Sequence, residues 1–194
     1  MAEIVLFHHV VGLTPGLVAL ADAWRAAGHT VHTPDLYGGR VFDSLEAGIA
    51  FAQGPEAPDQ DALADAAVAD LPSGLVYAGI SAGEMQAQRL AQTRPGAAGA
   101  ILLEACIPLT GDWAFGPWPD GVLVQIHGMD ADEFFAGEGD LDAAREIVAA
   151  VQGAELFLYP GEGHLFEDSS LPSYDEEATA LLLQRTLAFL DRLG

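Results

Sequence analysis

The stretch GISAG at residues 79–83 places Ser81 between two glycines. A serine hydroxyl attacks a carbonyl group only when a neighbouring base removes its proton, and it must stand clear of the backbone to reach a substrate. A G-x-S-x-G turn between a strand and a helix meets the second condition, because its glycines let the two elements approach closely. The helix points its positive N-terminal end at the site, and the Ala82 N–H can serve as an oxyanion donor. A tight turn without chemistry has the same residues, so the motif alone is a weak signal.

Two segments downstream of Ser81 could supply the acid and the base. GVLVQIHGMDADEFF (121–135) ends a predicted strand and then offers Asp130 and Asp132. AELFLYPGEGHLF (154–166) ends the last predicted strand and offers His164 in a loop flanked by glycines. The chain order serine, acid, histidine, each after a strand, is that of a nucleophile-elbow hydrolase. His164 would take the serine proton and later protonate the leaving group, while the aspartate would fix the imidazole tautomer.

The other histidines favour structural roles. They are His8, His9, His29, His32 and His127. Adjacent residues of a strand point to opposite faces, so His8 and His9 cannot both line one site. No helical segment carries a histidine pair at i,i+3 or i,i+4, and the one cysteine, Cys106, lies in an apolar run. We therefore predict no metal site and no cofactor.

Short apolar segments alternate with longer segments of helical pattern. The predicted strands are 3–9, 29–33, 74–80, 99–105, 121–127 and 154–160. The predicted helices are 16–28, 44–53, 61–71, 83–94, 140–151 and 173–193. Continuous apolar strands are typical of a parallel sheet that is buried on both faces. The alternation predicts a three-layer α/β fold with a mostly parallel sheet, in a single domain of residues 1–194.

The segment IPLTGDWAFGPWPDG (107–121) is rich in proline, glycine and aromatic residues. It follows a predicted strand, so Trp113, Phe115 and Trp118 could form one wall of a substrate pocket. A surface loop anchored by its aromatic side chains is the alternative interpretation.

The composition limits the partners of the protein. The 194 residues include 29 acidic and 7 basic residues, for a net charge of -22, and all the basic residues are arginine. Such a surface repels phosphate backbones and anionic lipid, so we expect a small-molecule substrate and neither nucleic acid nor membrane as a partner. The N-terminus lacks the pattern of a signal peptide, which favours a cytoplasmic protein. We expect a monomer or a homodimer.

Taken together, these segments resemble the dienelactone hydrolase family of α/β-hydrolases. IVLFHHVVGLTPGLVALADAWRAAGHTVHTPDLYGGR (4–40) is similar to its opening strand, helix and second strand, and GISAG to its nucleophile elbow. HGMDADEFF, YPGEGHLF and SYDEEATALLLQRTLAFL resemble its acid loop, histidine loop and closing helix. The resemblance implies an α/β-hydrolase fold and the hydrolysis of an ester by a serine, aspartate and histidine triad.

The resemblance also implies particular roles for single residues. In the acid loop of the family, one residue separates the aspartate from a phenylalanine, which is Phe134 here and selects Asp132 over Asp130. The second oxyanion donor of the family corresponds to the Val10 N–H. The glutamate that the family has near its nucleophile corresponds to His9. We therefore predict that His9 and Phe134, with the three aromatic residues of 107–121, contact the substrate; a hydrogen-bonded histidine at a strand end is the alternative for His9.

Two departures from the family concern the substrate. Ser81 stands where the name-giving members have cysteine, and serine with histidine is the common esterase pairing. The carboxylate-binding arginine after the catalytic histidine is absent, and Asp168 lies in that region. A neutral ester, lactone or thioester is therefore the expected substrate. A silent α/β-hydrolase fold that binds a ligand or partner is the alternative function, and a hydrolase-fold enzyme of another reaction type is a third.

Overall fold

A computed structural model describes residues 1–194, which form one six-stranded sheet flanked by helices. The strands are β1 (Glu3–Phe7), β2 (Thr30–His32), β3 (Val76–Ile80), β4 (Gly99–Leu103), β5 (Leu123–Met129) and β6 (Glu155–Tyr159). Their order in the sheet is β2-β1-β3-β4-β5-β6, and every pair of neighbours is parallel. The carboxyl ends of all six strands therefore meet at one edge of the sheet.

Six α-helices connect or follow the strands. They are α1 (Pro15–Ala26), α2 (Leu45–Ala52), α3 (Gln60–Val68), α4 (Glu84–Thr93), α5 (Asp140–Ala150) and α6 (Glu176–Asp191). Four of them begin after a residue whose side chain accepts a hydrogen bond from the first turn, namely Thr14, Ser44, Asp59 and Asp175. These oxygen atoms satisfy N–H groups that have no partner inside a helix, so the starting points are fixed locally by the sequence.

The sheet separates two apolar layers because successive strand residues face opposite sides. In β1, Ile4 and Leu6 pack in one layer, with α1 and α6, while Val5 and Phe7 pack in the other, with α3, α4 and α5. All four side chains are fully buried. This arrangement confirms the predicted three-layer α/β fold.

Each predicted strand and helix is present. The strands are shorter than predicted at most of their ends, and the sheet is entirely parallel where a mostly parallel one was predicted. None of the helices combines the length and the apolar character that crossing a membrane requires.

Candidate active site

The backbone turns sharply at Ser81, between the end of β3 and the start of α4. Ser81 has φ 50°, in the left-handed region, and opens a single 3₁₀ turn, Ser81–Gly83, that leads into α4. Such a conformation costs a non-glycine residue on the order of 1–3 kcal/mol. It occurs at sites where a side chain must be lifted clear of the sheet, which is the geometry that the GISAG motif predicts.

The two glycines of the motif are required by close packing. A Cβ atom on Gly79 would lie 2.2 Å from the Gly83 carbonyl oxygen. A Cβ atom on Gly83 would lie 2.5 Å from the carbonyl oxygens of Phe7 and His8. Any other residue would thus push α4 away from β1 and β3 and move Ser81 with it.

The structure brings Ser81, His164 and Asp132 into one chain of hydrogen bonds. The Ser81 hydroxyl lies 2.8 Å from His164 Nε2, and His164 Nδ1 lies 2.7 Å from Asp132 Oδ2. Because a carboxylate only accepts hydrogen bonds, Nδ1 donates to Asp132, and Nε2 is free to accept the serine proton. The Phe134 N–H donates a 2.9 Å hydrogen bond to the other Asp132 oxygen, Oδ1. Asp132 and His164 are buried, while Ser81 is half-buried and faces a cavity.

Asp130, the other acid that the sequence offered, lies elsewhere. Its side chain is exposed and accepts a hydrogen bond from the Gly161 N–H at 3.1 Å. It therefore stabilises the turn between β6 and the histidine loop, and Asp132 is the acid that contacts His164.

Val10 and Ala82, the predicted oxyanion donors, both line the cavity beside Ser81. The Val10 N–H makes no backbone hydrogen bond, and it follows β1 at the carboxyl edge of the sheet. Helix α2 packs directly behind it: a Cβ atom on Gly48 would lie 2.4 Å from the Val10 carbonyl oxygen.

The cavity has a volume of about 560 Å³ and a mainly apolar wall. Phe134 is the one predicted substrate-contacting residue that lines it, with its ring 4.6 Å from the His164 ring. Helix α2 contributes Leu45, Ile49 and Ala52, which the sequence reasoning missed. Their i, i+4, i+7 spacing predicts one face of a helix, but the sequence alone does not say which surface that face covers.

The prediction that His9 contacts substrate requires correction. His9 is completely buried and does not line the cavity. Its Nε2–H donates to Asp168 at 2.8 Å, and Asp168 also accepts hydrogen bonds from the Thr14 hydroxyl and from the N–H and hydroxyl of Ser170. Burial opposes ionisation of Asp168, but these hydrogen bonds outweigh it and lower its pKa to about 2. The network joins the end of β1 to the loop that follows His164.

The prediction for Trp113, Phe115 and Trp118 is also corrected, because none of them lines the cavity. Trp113 is 75% exposed, and the buried Trp118 donates a 2.7 Å hydrogen bond to the Val122 carbonyl oxygen inside its own loop. Side chains of α4 hold the segment along the flank of that helix: Gln92 donates to the Gly116 carbonyl oxygen at 2.6 Å. The segment is therefore a surface loop that is anchored by Trp118 and by its contact with α4.

Four carboxyl groups line the cavity, and no lysine or arginine does. They belong to Glu84, Glu104, Glu138 and Asp140. Burial, followed by the charge of Asp140, raises the pKa of Glu84 well above its usual value, and neither Glu84 oxygen has a hydrogen-bond partner. Burial also raises the pKa of Asp140, to about 6. An anionic substrate would meet the exposed Glu138 at the rim and these acids inside.

One set of side chains has a spacing that could hold a metal ion. The potential ligand atoms of Glu104, Asp132 and His164 lie within 4.8 Å of one another. The histidine nitrogen of this set is Nδ1, which already donates to Asp132, so the set is more simply explained as two acids around one imidazole.

A parallel sheet with helices on both faces and a serine on a strained strand-to-helix turn defines the α/β-hydrolase fold. Residues 121–194 match the family model described as the dienelactone hydrolase family. The predicted resemblance to that family is therefore confirmed, and the predicted class of enzyme, a hydrolase of ester bonds, is the class that the family defines. No curated protein sequence matches the chain.

Solved structures agree with this fold. A dienelactone hydrolase-like promiscuous phosphotriesterase from metagenomic libraries has a TM-score of 0.74 at 18% identity, over 100% of this chain and 87% of the other. A dienelactone hydrolase from Anabaena variabilis has a TM-score of 0.65 at 15% identity, over 98% and 86% of the two chains. A thermophilic esterase from Thermogutta terrifontis, with propionate bound, has a TM-score of 0.65 at 18% identity, over 100% and 84%.

Proposed function

We propose that the protein is a serine hydrolase that cleaves a small neutral carboxylic ester or lactone. The observation that carries the proposal is the hydrogen-bonded series from Ser81 through His164 to Asp132, which opens into the cavity at the serine. This arrangement supplies a nucleophile, a base and an acid that orients the base, and these are the parts that acyl transfer to serine needs.

The geometry supports a two-step mechanism. As the Ser81 oxygen attacks the substrate carbonyl, His164 Nε2 takes the hydroxyl proton, and the Val10 and Ala82 N–H groups stabilise the oxyanion. His164 then gives the proton to the leaving alkoxide, and an acyl-serine ester remains. A water molecule, deprotonated by His164, attacks this ester, and His164 then returns the proton to the departing Ser81 oxygen, which releases the acid and free Ser81. Asp132 stabilises the imidazolium that forms in both steps.

The lining of the cavity supports a neutral substrate. Its volume of about 560 Å³ suits a small molecule, and its wall is mainly apolar. A carboxylate on the substrate would lie among acids with no lysine or arginine to pair it. The relatives described as esterase and dienelactone hydrolase agree with an ester or lactone as the substrate class. A cytoplasmic location, a single domain and a monomeric or dimeric state stay predictions.

The proposal is tested with an active-site probe and a short series of 4-nitrophenyl esters, from acetate to octanoate. We expect a fluorophosphonate to label wild-type protein at Ser81, as mapped by peptide mass spectrometry, and Ser81→Ala to lose both labelling and hydrolysis. Ser73→Ala, at an exposed serine outside the cavity, is the matched control. Equal hydrolysis by wild type and Ser81→Ala, without labelling, would instead support the silent fold that binds a ligand or partner.

A further inference from the structure

Glu104 is the first residue after β4, and it lies at the same edge of the sheet as the proposed triad. Its φ of 60° is in the left-handed region, and Ser81 and Leu165 are the only other non-glycine residues with positive φ. A strained backbone at a fully buried carboxyl group needs an explanation beyond packing, because such strain persists only where other contacts fix it. The Glu104 N–H donates to the His127 carbonyl oxygen at 2.8 Å, which holds the backbone in place.

The carboxylate of Glu104 holds the turn that carries His164. One oxygen accepts a hydrogen bond from the Leu165 N–H at 2.6 Å, and the other accepts from the Phe166 N–H at 3.3 Å. These residues follow His164 directly, and Leu165 itself has φ 61°. Glu104 therefore fixes the backbone from which the catalytic imidazole projects.

The carboxyl group of Glu104 is also a second acid near the His164 imidazole, farther from it than Asp132. Glu104 Oε2 lies 3.9 Å from His164 Nδ1, the nitrogen that lies 2.7 Å from Asp132 Oδ2. A displacement of about 1 Å would bring it within hydrogen-bond distance. Burial, followed by the neighbouring Glu167 and Asp132, raises the pKa of Glu104 well above its usual value. Glu104 therefore tends to hold a proton beside Asp132, and it becomes a better acceptor if Asp132 is removed.

We propose that Glu104 is a positioning residue for His164 and a second acid that can take the place of Asp132 beside Nδ1. The inference rests on the proposed hydrolase function, which it deepens. In wild type, Glu104 acts through the turn at Leu165 and Phe166; without Asp132, its carboxylate accepts the Nδ1 hydrogen bond and stabilises the imidazolium.

A double-mutant cycle tests this role in the full-length protein. The variants are Glu104→Gln, Asp132→Ala and the double variant, and Glu162→Gln is the control. Glu162 is an exposed carboxyl in the histidine loop and does not line the cavity. The readouts are kcat and KM for 4-nitrophenyl acetate and the rate of fluorophosphonate labelling of Ser81.

We expect Glu104→Gln to lower kcat by roughly ten-fold and to change KM less than about two-fold, because the Glu104 side chain acts mainly by holding the turn that carries the base. We expect Asp132→Ala to keep Ser81-dependent activity that is at least about ten-fold above that of the double variant. Its labelling rate should rise more steeply with pH than that of the double variant, since Glu104 must lose its proton to serve as the acid. A purely structural role would not produce this difference in pH profile.

The outcomes separate the two proposals. The inference about Glu104 would be overturned if Asp132→Ala and the double variant had equal rates and pH profiles and Glu104→Gln were no slower than Glu162→Gln. Hydrolysis by wild type would still support the hydrolase function in that case. A wild type without Ser81-dependent hydrolysis or labelling would overturn both. If circular dichroism shows that Glu104→Gln is unfolded, Glu104→Asp serves instead: it keeps the carboxyl group but withdraws it from His164, and an unchanged kcat would contradict the inference.

Discussion

Replacing Asp168 by asparagine should destabilise the protein in a pH-dependent way. Asp168 is completely buried and accepts hydrogen bonds from His9, Thr14 and Ser170. These bonds, against the opposing effect of burial, lower its pKa from 3.8 to about 2. At 1.36 kcal/mol for each tenfold change in proton affinity, the difference corresponds to roughly 2–3 kcal/mol of folding free energy at pH 7.

The sign of the pH dependence follows from the lowered pKa. The folded state binds the Asp168 proton more weakly than the unfolded chain does, so the stabilisation is complete well above pH 3.8 and is lost as the pH falls through about 2. The difference between wild type and Asp168→Asn should therefore be about constant from pH 7 to pH 5 and fall to roughly half by pH 3.

Urea unfolding, followed by tryptophan fluorescence, to which the buried Trp24 contributes, and by circular dichroism, measures this difference at pH 7, 5 and 3. Asp112→Asn, at an exposed acid of the surface loop, is the matched control and should change the free energy of unfolding by less than about 0.5 kcal/mol. The reasoning is refuted if Asp168→Asn is as stable as Asp112→Asn at pH 7. The reasoning is also refuted if the loss of unfolding free energy in Asp168→Asn has the same pH dependence as that in Asp112→Asn.

Three further predictions concern the reaction. Asp132→Asn should lower kcat for 4-nitrophenyl acetate by at least about a hundred-fold through loss of the charge beside the imidazole, while Asp130→Asn stays within about two-fold of wild type; equal losses would contradict the assignment of the acid. Glu138→Lys should raise kcat/KM for the anionic 4-nitrophenyl hemisuccinate, relative to that for the neutral butyrate ester, by about five-fold or more at low salt, because it replaces a negative charge at the cavity with a positive one. Asp142→Lys makes the same change in charge outside the cavity and should not have this effect. Trp113→Ala should leave kcat/KM for every ester of the series unchanged within about two-fold, since an effect on long esters alone would show that the loop covers the cavity.

The fold could be predicted almost completely because its signals are local. Alternation of apolar strands with helical segments, and the N-cap residues before four helices, are all properties of short stretches of sequence. The positions of Ser81, Asp132 and His164 followed from a general rule, since each comes after a strand and parallel strands end at a common edge. The structure brings these three together, and it differs from the prediction where a side chain depends on a distant partner.

His9 and Glu104 show why the rest could not be predicted. Both follow a strand at the carboxyl edge of the sheet. The rule that residues after parallel strands lie at a common edge therefore predicts equally that each of them belongs to the site. His9 contacts Asp168, which lies 159 residues away, whereas Glu104 contacts the backbone at Leu165. Such pairings depend on how the histidine loop folds over the sheet, and no local pattern records that.

Backbone strain is confined to one small region of the molecule, because its three non-glycine residues with positive φ are Ser81, Glu104 and Leu165. Each has a φ between 50° and 61°, which glycine or asparagine would adopt with less cost. Selection for heat resistance alone would therefore favour replacing these residues, including Ser81, the proposed nucleophile. At these three positions, a substitution that relieves backbone strain would raise stability but would lower the proposed activity. Stabilising substitutions in this protein should therefore be placed away from the carboxyl edge of the sheet.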